Sequence, residues 1–108
     1  MLNTCQVAHR FSGRLRMSKP VQDAMENLFE RWDGKGPNGV KGPAIPLTAR
    51  IAYMTAFLGI FHQIKGREGA IELAKERRGN AFDPSSVDAF LALAKKEGFW
   101  EVLESNLV

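Results

Sequence analysis

Residues 33–46 read Asp-Gly-Lys-Gly-Pro-Asn-Gly-Val-Lys-Gly-Pro-Ala-Ile-Pro. Four glycines and three prolines in fourteen positions forbid a helix and leave no room for a long strand. The stretch is a loop of unusual length, and loops longer than about 12–15 residues are often functional. On both sides of it the periodicity is helical. Upstream, Ser18 stands at a cap position and Pro20 in a first turn. Val21, Ala24, Met25, Leu28, Phe29 and Trp32 follow at i, i+3, i+4 and i+7. This predicts a helix from Pro20 to Trp32, stopping at Asp33-Gly34. Downstream, Thr48 is the expected cap of a helix running to about Ile64. Ile51, Met54, Leu58 and Phe61 recur at helical spacing with Phe57 on the flank, and positions 52, 55, 56 and 59 are small. Such a helix should be central and packed on several sides.

The remaining segments extend the same pattern. Lys65-Gly66 reads as a turn, followed by a helix over Arg67–Arg78 with Ala70, Ile71 and Ala74 inward and Gly79 just past its end. Asp83-Pro84 starts another helix, which buries Val87, Phe90, Leu91 and Ala94. Gly98 breaks it, and Phe99 to Leu107 forms a last short helix. Near the N-terminus Val7, Phe11 and Leu15 suggest a short helix between Thr4 and Leu15. No repeat and no strand pattern is visible. The expected class is all-α, five to six short helices in a single domain over residues 1–108.

Composition narrows the function classes. A chain of 108 residues makes one domain. Apolar residues at 44% and charged residues at 25% are ordinary globular values. No apolar run approaches the roughly 20 residues of a membrane-spanning helix, and no signal-peptide pattern opens the sequence. The single cysteine, Cys5, excludes an internal disulfide framework and an all-Cys metal site, which fits a reducing, cytoplasmic setting. Fifteen Lys and Arg against twelve Asp and Glu give +3. The first 19 residues carry His9, Arg10, Arg14, Arg16 and Lys19 without an acid. Such a cluster attracts phosphate, but no aromatic interleaving accompanies it, so it reads as a solvated face and nucleic acid is not an expected partner.

The segment Glu30-Arg31-Trp32-Asp33-Gly34-Lys35-Gly36-Pro37-Asn38-Gly39-Val40-Lys41-Gly42, then Ile45-Pro46 and Ala49-Arg50-Ile51, resembles the HD-GYP family. Its signature reads His-His-Glu-x-x-Asp-Gly-x-Gly-Tyr-Pro-x-Gly-Leu-x-Gly, followed by Ile-Pro and Ala-Arg-Ile. Gly79-Asn80-Ala81-Phe82-Asp83-Pro84, with Val87 and Phe90, resembles the family's Gly-x-x-Phe-Asp-Pro-x-x-Val-x-x-Phe ending. Order and spacing agree across roughly residues 28–91. The resemblance implies an all-helical HD-superfamily domain. Intact members are metal-dependent phosphodiesterases of cyclic di-GMP or related cyclic dinucleotides, in which His and Asp side chains hold metals that generate a hydroxide nucleophile.

The sequence departs from the pattern where that chemistry resides. Leu28 and Phe29 stand at the paired histidines, and Ala56 and Gly59 at the acidic positions after Ala-Arg-Ile. The tyrosine of Gly-Tyr-Pro is deleted, the His-Asp dipeptide is absent, and Asn3 or Thr4 falls near an upstream histidine position. The expectation is a degenerate domain corresponding to the C-terminal portion of the family unit, with no metal, no cofactor and no cyclic di-GMP hydrolysis. It would act as a regulatory or protein-interaction module in bacterial signalling. The alternatives are a metal-dependent cyclic di-GMP phosphodiesterase, with residual activity of its own or completed by another chain, or a cyclic-dinucleotide sensor. Candidate ligand-binding residues are Glu30, Asp33, Gly34, Lys35, Gly36, Lys41 and Arg50. Glycine amides with Lys35 and Lys41 could cradle a phosphate, or the glycines only satisfy turn geometry. Arg50 either binds a ligand phosphate or pairs with Asp33 or Glu30. His9 and His62 have no carboxylate at ligand-like spacing, and Cys5 reads as a small buried residue. A homodimer or a partner protein is expected at an apolar face formed by Val21, Met25, Leu28, Phe29 and Trp32, together with the helix after the loop.

Overall fold

The computed structural model describes residues 6, 7, 10 and 16–105. Four helices follow in order: α1 (Lys19–Glu26), α2 (Leu47–Arg77), α3 (Pro84–Ala94) and α4 (Phe99–Ser105). A short 3-10 turn, Gly42–Ala44, precedes α2. The all-α class holds, and no strand occurs among the described residues beyond one isolated bridge between Arg78 and Phe82. Among the described residues the ranges number four against the expected five to six; one of them holds two helical segments, those expected over Thr48–Ile64 and Arg67–Arg78, run together as one element. That element is α2, interrupted at Gly66, whose φ of 73° and ψ of −164° are not helical. The expected turn therefore exists as a kink. The helix expected over Thr4–Leu15 lies largely outside the described residues.

Two boundaries differ from the periodicity. The helix expected to reach Trp32 ends at Glu26, where the Asn27 side chain donates to the Asp23 carbonyl. Beyond it the backbone finds other partners. Trp32 N–H donates to Ala81 O (3.2 Å) and Asp33 N–H to Asn80 O (2.8 Å), while Trp32 O accepts from Gly42 N–H (3.0 Å). These bonds replace the helical ladder, so the apolar spacing continues while the helix does not. Ser18 holds the N-cap position of α1 without a side-chain cap bond, and Pro46 rather than Thr48 precedes α2. Asp83 behaves as expected, accepting from Ser85 N–H at the start of α3.

The core joins Met54 and Leu58 of α2 to Ala70, Leu73 and Ala74 beyond the kink, with Ala81, Phe82, Val87 and Trp100 closing it. Tyr53 and Phe82 meet edge-on, as do Phe90 and Trp100. The first half of α2 is not packed on several sides: Ile51, Phe57, Ile60 and Ile64 are exposed. No helix among the described residues is long and apolar enough to cross a membrane.

Candidate functional site

The loop after α1 is built around Glu30, only 2% exposed. Its carboxylate accepts from Asn38 N–H (2.9 and 3.1 Å) and from Val40 N–H (2.8 Å). A carboxylate out of water needs such donors, and loop amides supply them. Gly36 lets the chain pass close enough. A Cβ there would lie 2.8 Å from Glu30 Cα and 2.9 Å from Arg31 N, so no larger residue fits. Gly34, at φ +81°, donates to Arg31 O, and Lys41 packs its methylenes against it. Asp33 accepts from Arg31 Nε (3.2 Å), Arg31 Nη2 (2.9 Å) and Lys35 N–H (3.0 Å). The Arg31 guanidinium holds the Asp33 carboxyl below its ordinary range.

Several loop amides are thus engaged within the chain. Those of Asn38 and Val40 go to Glu30, that of Lys35 to Asp33, and that of Gly39 to Gly36 O. Glu30 and Asp33 face different partners. The exposed charged side chains of the loop are those of Lys35 and Lys41, beside exposed Pro37, Asn38 and Pro43.

Arg50 pairs with neither Asp33 nor Glu30. Its Nη1 donates to Asp83 Oδ2 (2.8 Å) and its Nε to Ile45 O (3.0 Å), with the guanidinium 5.7 Å from the centre of the Trp32 ring. Burial pushes the Asp83 carboxyl upward, but donors from Ser85, Ser86 and Arg50 outweigh it and leave the group below its ordinary value. Arg50 therefore ties the loop's end and Trp32 to the start of α3. The sequence marked Asp83 as a helix cap but carried no local sign of this distant partner.

Several of the positions at which the resemblance places metal ligands line an apolar hollow. Leu28 and Phe29 meet Ala52, Tyr53, Ala56 and Phe57 around a hollow of about 220 Å³. Its one polar side-chain atom is the Tyr53 hydroxyl. Among the described residues no three His, Cys, Asp or Glu side chains converge, and no buried side-chain nitrogen or oxygen lacks a partner. The described residues do not fit a metal centre.

His62 is a satisfied residue rather than a ligand. It stacks on Trp100 (5.6 Å, 7°), and its Nε2 lies 2.8 Å from Glu104, which also accepts from Arg67. Those bonds hold the Glu104 carboxyl down to about 2. This cluster was not legible in the sequence, because Glu104 and His62 sit on separate helices. His9 and Cys5 lie outside the described residues, as does much of the N-terminal basic cluster. Lys19 pairs with Asp23 at 2.7 Å on the surface.

No protein-family model matches the chain. Curated relatives do. The chain is 34% identical over 93 residues to a 3′3′-cGAMP-specific phosphodiesterase of Vibrio cholerae, covering 85% of this chain and 20% of that protein. A cyclic di-GMP phosphodiesterase of the same organism is 29% identical over 97 residues, 83% of this chain and 20% of the relative. A crystal structure of a cyclic GMP-AMP specific phosphodiesterase from V. cholerae superposes with a TM-score of 0.83 at 32% identity, covering 89% of this chain and 23% of that one. The chain spans about a fifth of the length of these relatives. A match over 85% of the chain necessarily runs through the loop at 33–46. Together with the two motifs in register, these matches show that the chain belongs to the HD-GYP family of the HD superfamily, with apolar residues where the family signature places its paired histidines.

Proposed function

We propose that this chain serves the hydrolysis of a cyclic dinucleotide, as the loop-and-helix portion of a metal-dependent phosphodiesterase whose metal-holding donors come from outside the described residues. The observation that carries this reading is the set of relatives. Those matching over more than four-fifths of the chain are named as phosphodiesterases of 3′3′-cGAMP or cyclic di-GMP. On this reading Lys35 and Lys41 offer their charges to the phosphates of the dinucleotide, and Arg50 keeps the loop in place from below. No catalytic step is assigned to the hollow beside Leu28 and Phe29.

That apolar hollow favours a second reading, a regulatory module of bacterial signalling that hydrolyses nothing. One experiment separates the two. The purified full chain is incubated with a divalent metal and either 3′3′-cGAMP or cyclic di-GMP, and linear dinucleotide is followed by chromatography, with binding measured by calorimetry. The proposal expects binding that weakens in a Lys35→Ala/Lys41→Ala variant, and turnover, stopped by a chelator, only once a segment that supplies the metal donors is added to the chain. Absence of both binding and turnover would favour the regulatory module.

A further inference from the structure

The first half of α2 buries one stripe and leaves another in water. Met54 and Leu58 face the core. Phe57, Ile60 and Ile64, spaced i, i+3 and i+7 on a different face, are 38%, 50% and 70% exposed. Phe29, 49% exposed, walls the same hollow as Phe57 and extends this ridge across to the segment before the loop. From Ile51 to Ile64 there is no Asp, Glu, Lys or Arg.

We propose that this ridge is the contact face of a two-fold dimer of the chain. The four side chains leave on the order of 350–400 Å² of apolar surface in water, at the usual size of such residues. A stable two-fold interface buries about 800 Å² per partner, roughly two thirds of it apolar. The ridge supplies most of that apolar share, and the half-buried Leu28 and Tyr53 beside it complete it. Uncharged flanks suit self-association. Each copy carries +3 overall, and the stretch of α2 that carries Phe57, Ile60 and Ile64 brings no Asp, Glu, Lys or Arg of its own between two copies. A charged partner, by contrast, would find nothing on this ridge to pair with. The face expected from the sequence shifts accordingly. Phe29 stays at it, while Trp32 is drawn beneath Arg50 and away from it.

Sedimentation equilibrium of the full chain at micromolar concentration tests this. The wild type is expected at twice 12.0 kDa. Ile60→Asp and Ile64→Asp, both at exposed positions, should keep the helical circular dichroism and raise the dissociation constant at least about tenfold. Leu93→Asp, on the groove between α2 and α3, should leave the dimer intact. A single species near 12.0 kDa for the wild type overturns the proposal. So does a dimer that survives both ridge variants, or one that Leu93→Asp alone dissociates.

Discussion

Glu30 and Arg50 are the residues on which the loop depends, and each is defined by its partners rather than its exposure. Glu30 replaces water around two loop amides. Glu30→Ala should lower stability by about 1–2 kcal/mol in urea unfolding, the cost of leaving partly buried donors without their charged acceptor. The amides of Asn38 and Val40 should then exchange their hydrogens faster, and unchanged exchange at both would rule the brace out. Arg50 bonds a carboxylate whose side chain is 1% exposed. Asp83 keeps its two serine donors when Arg50 is lost, so Arg50→Ala should cost about 2–3 kcal/mol, below the full penalty for an orphaned buried charge. Were Arg50 a ligand contact instead, the melting temperature would hardly move while dinucleotide affinity fell. Both quantities can be read on the same variant.

At the scale of elements, α2 is decided by Gly66. Its φ and ψ fall in a region open in practice only to glycine. Gly66→Ala therefore strains the kink, and the expected loss is about 1–3 kcal/mol by urea unfolding. The opposite sign is the informative failure. Glycine to alanine inside an unbroken helix gains roughly 1 kcal/mol, so a stabilised variant would show that α2 runs straight. The loop has an equivalent position in Gly36, where any Cβ meets backbone rather than a side chain that could move aside.

At the scale of the whole molecule, α4 is anchored to α2 through Trp100, stacked on His62, and through Glu104, which accepts from Arg67. Glu104 titrates at about 2 in the folded chain against an ordinary 4.5. A depressed carboxyl favours folding when ionised in both states. Its contribution is complete above 4.5 and is lost as pH falls from there towards about 2. Asp33, Asp83 and Asp88 are also held low, so wild-type stability should decline through this window. Glu104→Gln should flatten part of that decline and be less stable than wild type near neutrality. Urea unfolding across the acid range measures both. An unaltered acid slope in the variant would show that Glu104 does not link the helices.

Class, loop and most helix positions are legible in the amino-acid order alone. Proline and glycine act on the backbone locally, and Asp83-Pro84 starts α3 as its chemistry requires. The motifs at 30–51 and 79–90 were readable for the same reason, since spacing along the chain is what a signature records. Where α1 ends, which carboxylate Arg50 meets and how His62 is satisfied follow from packing alone. Each depends on a group far away in sequence: Ala81 and Asn80 for Trp32 and Asp33, Asp83 for Arg50, Glu104 for His62. Apolar periodicity marks which side chains could share a helix face. It does not say whether the backbone beneath them bonds four residues back or crosses to another segment, and between Asn27 and Trp32 the second alternative prevailed.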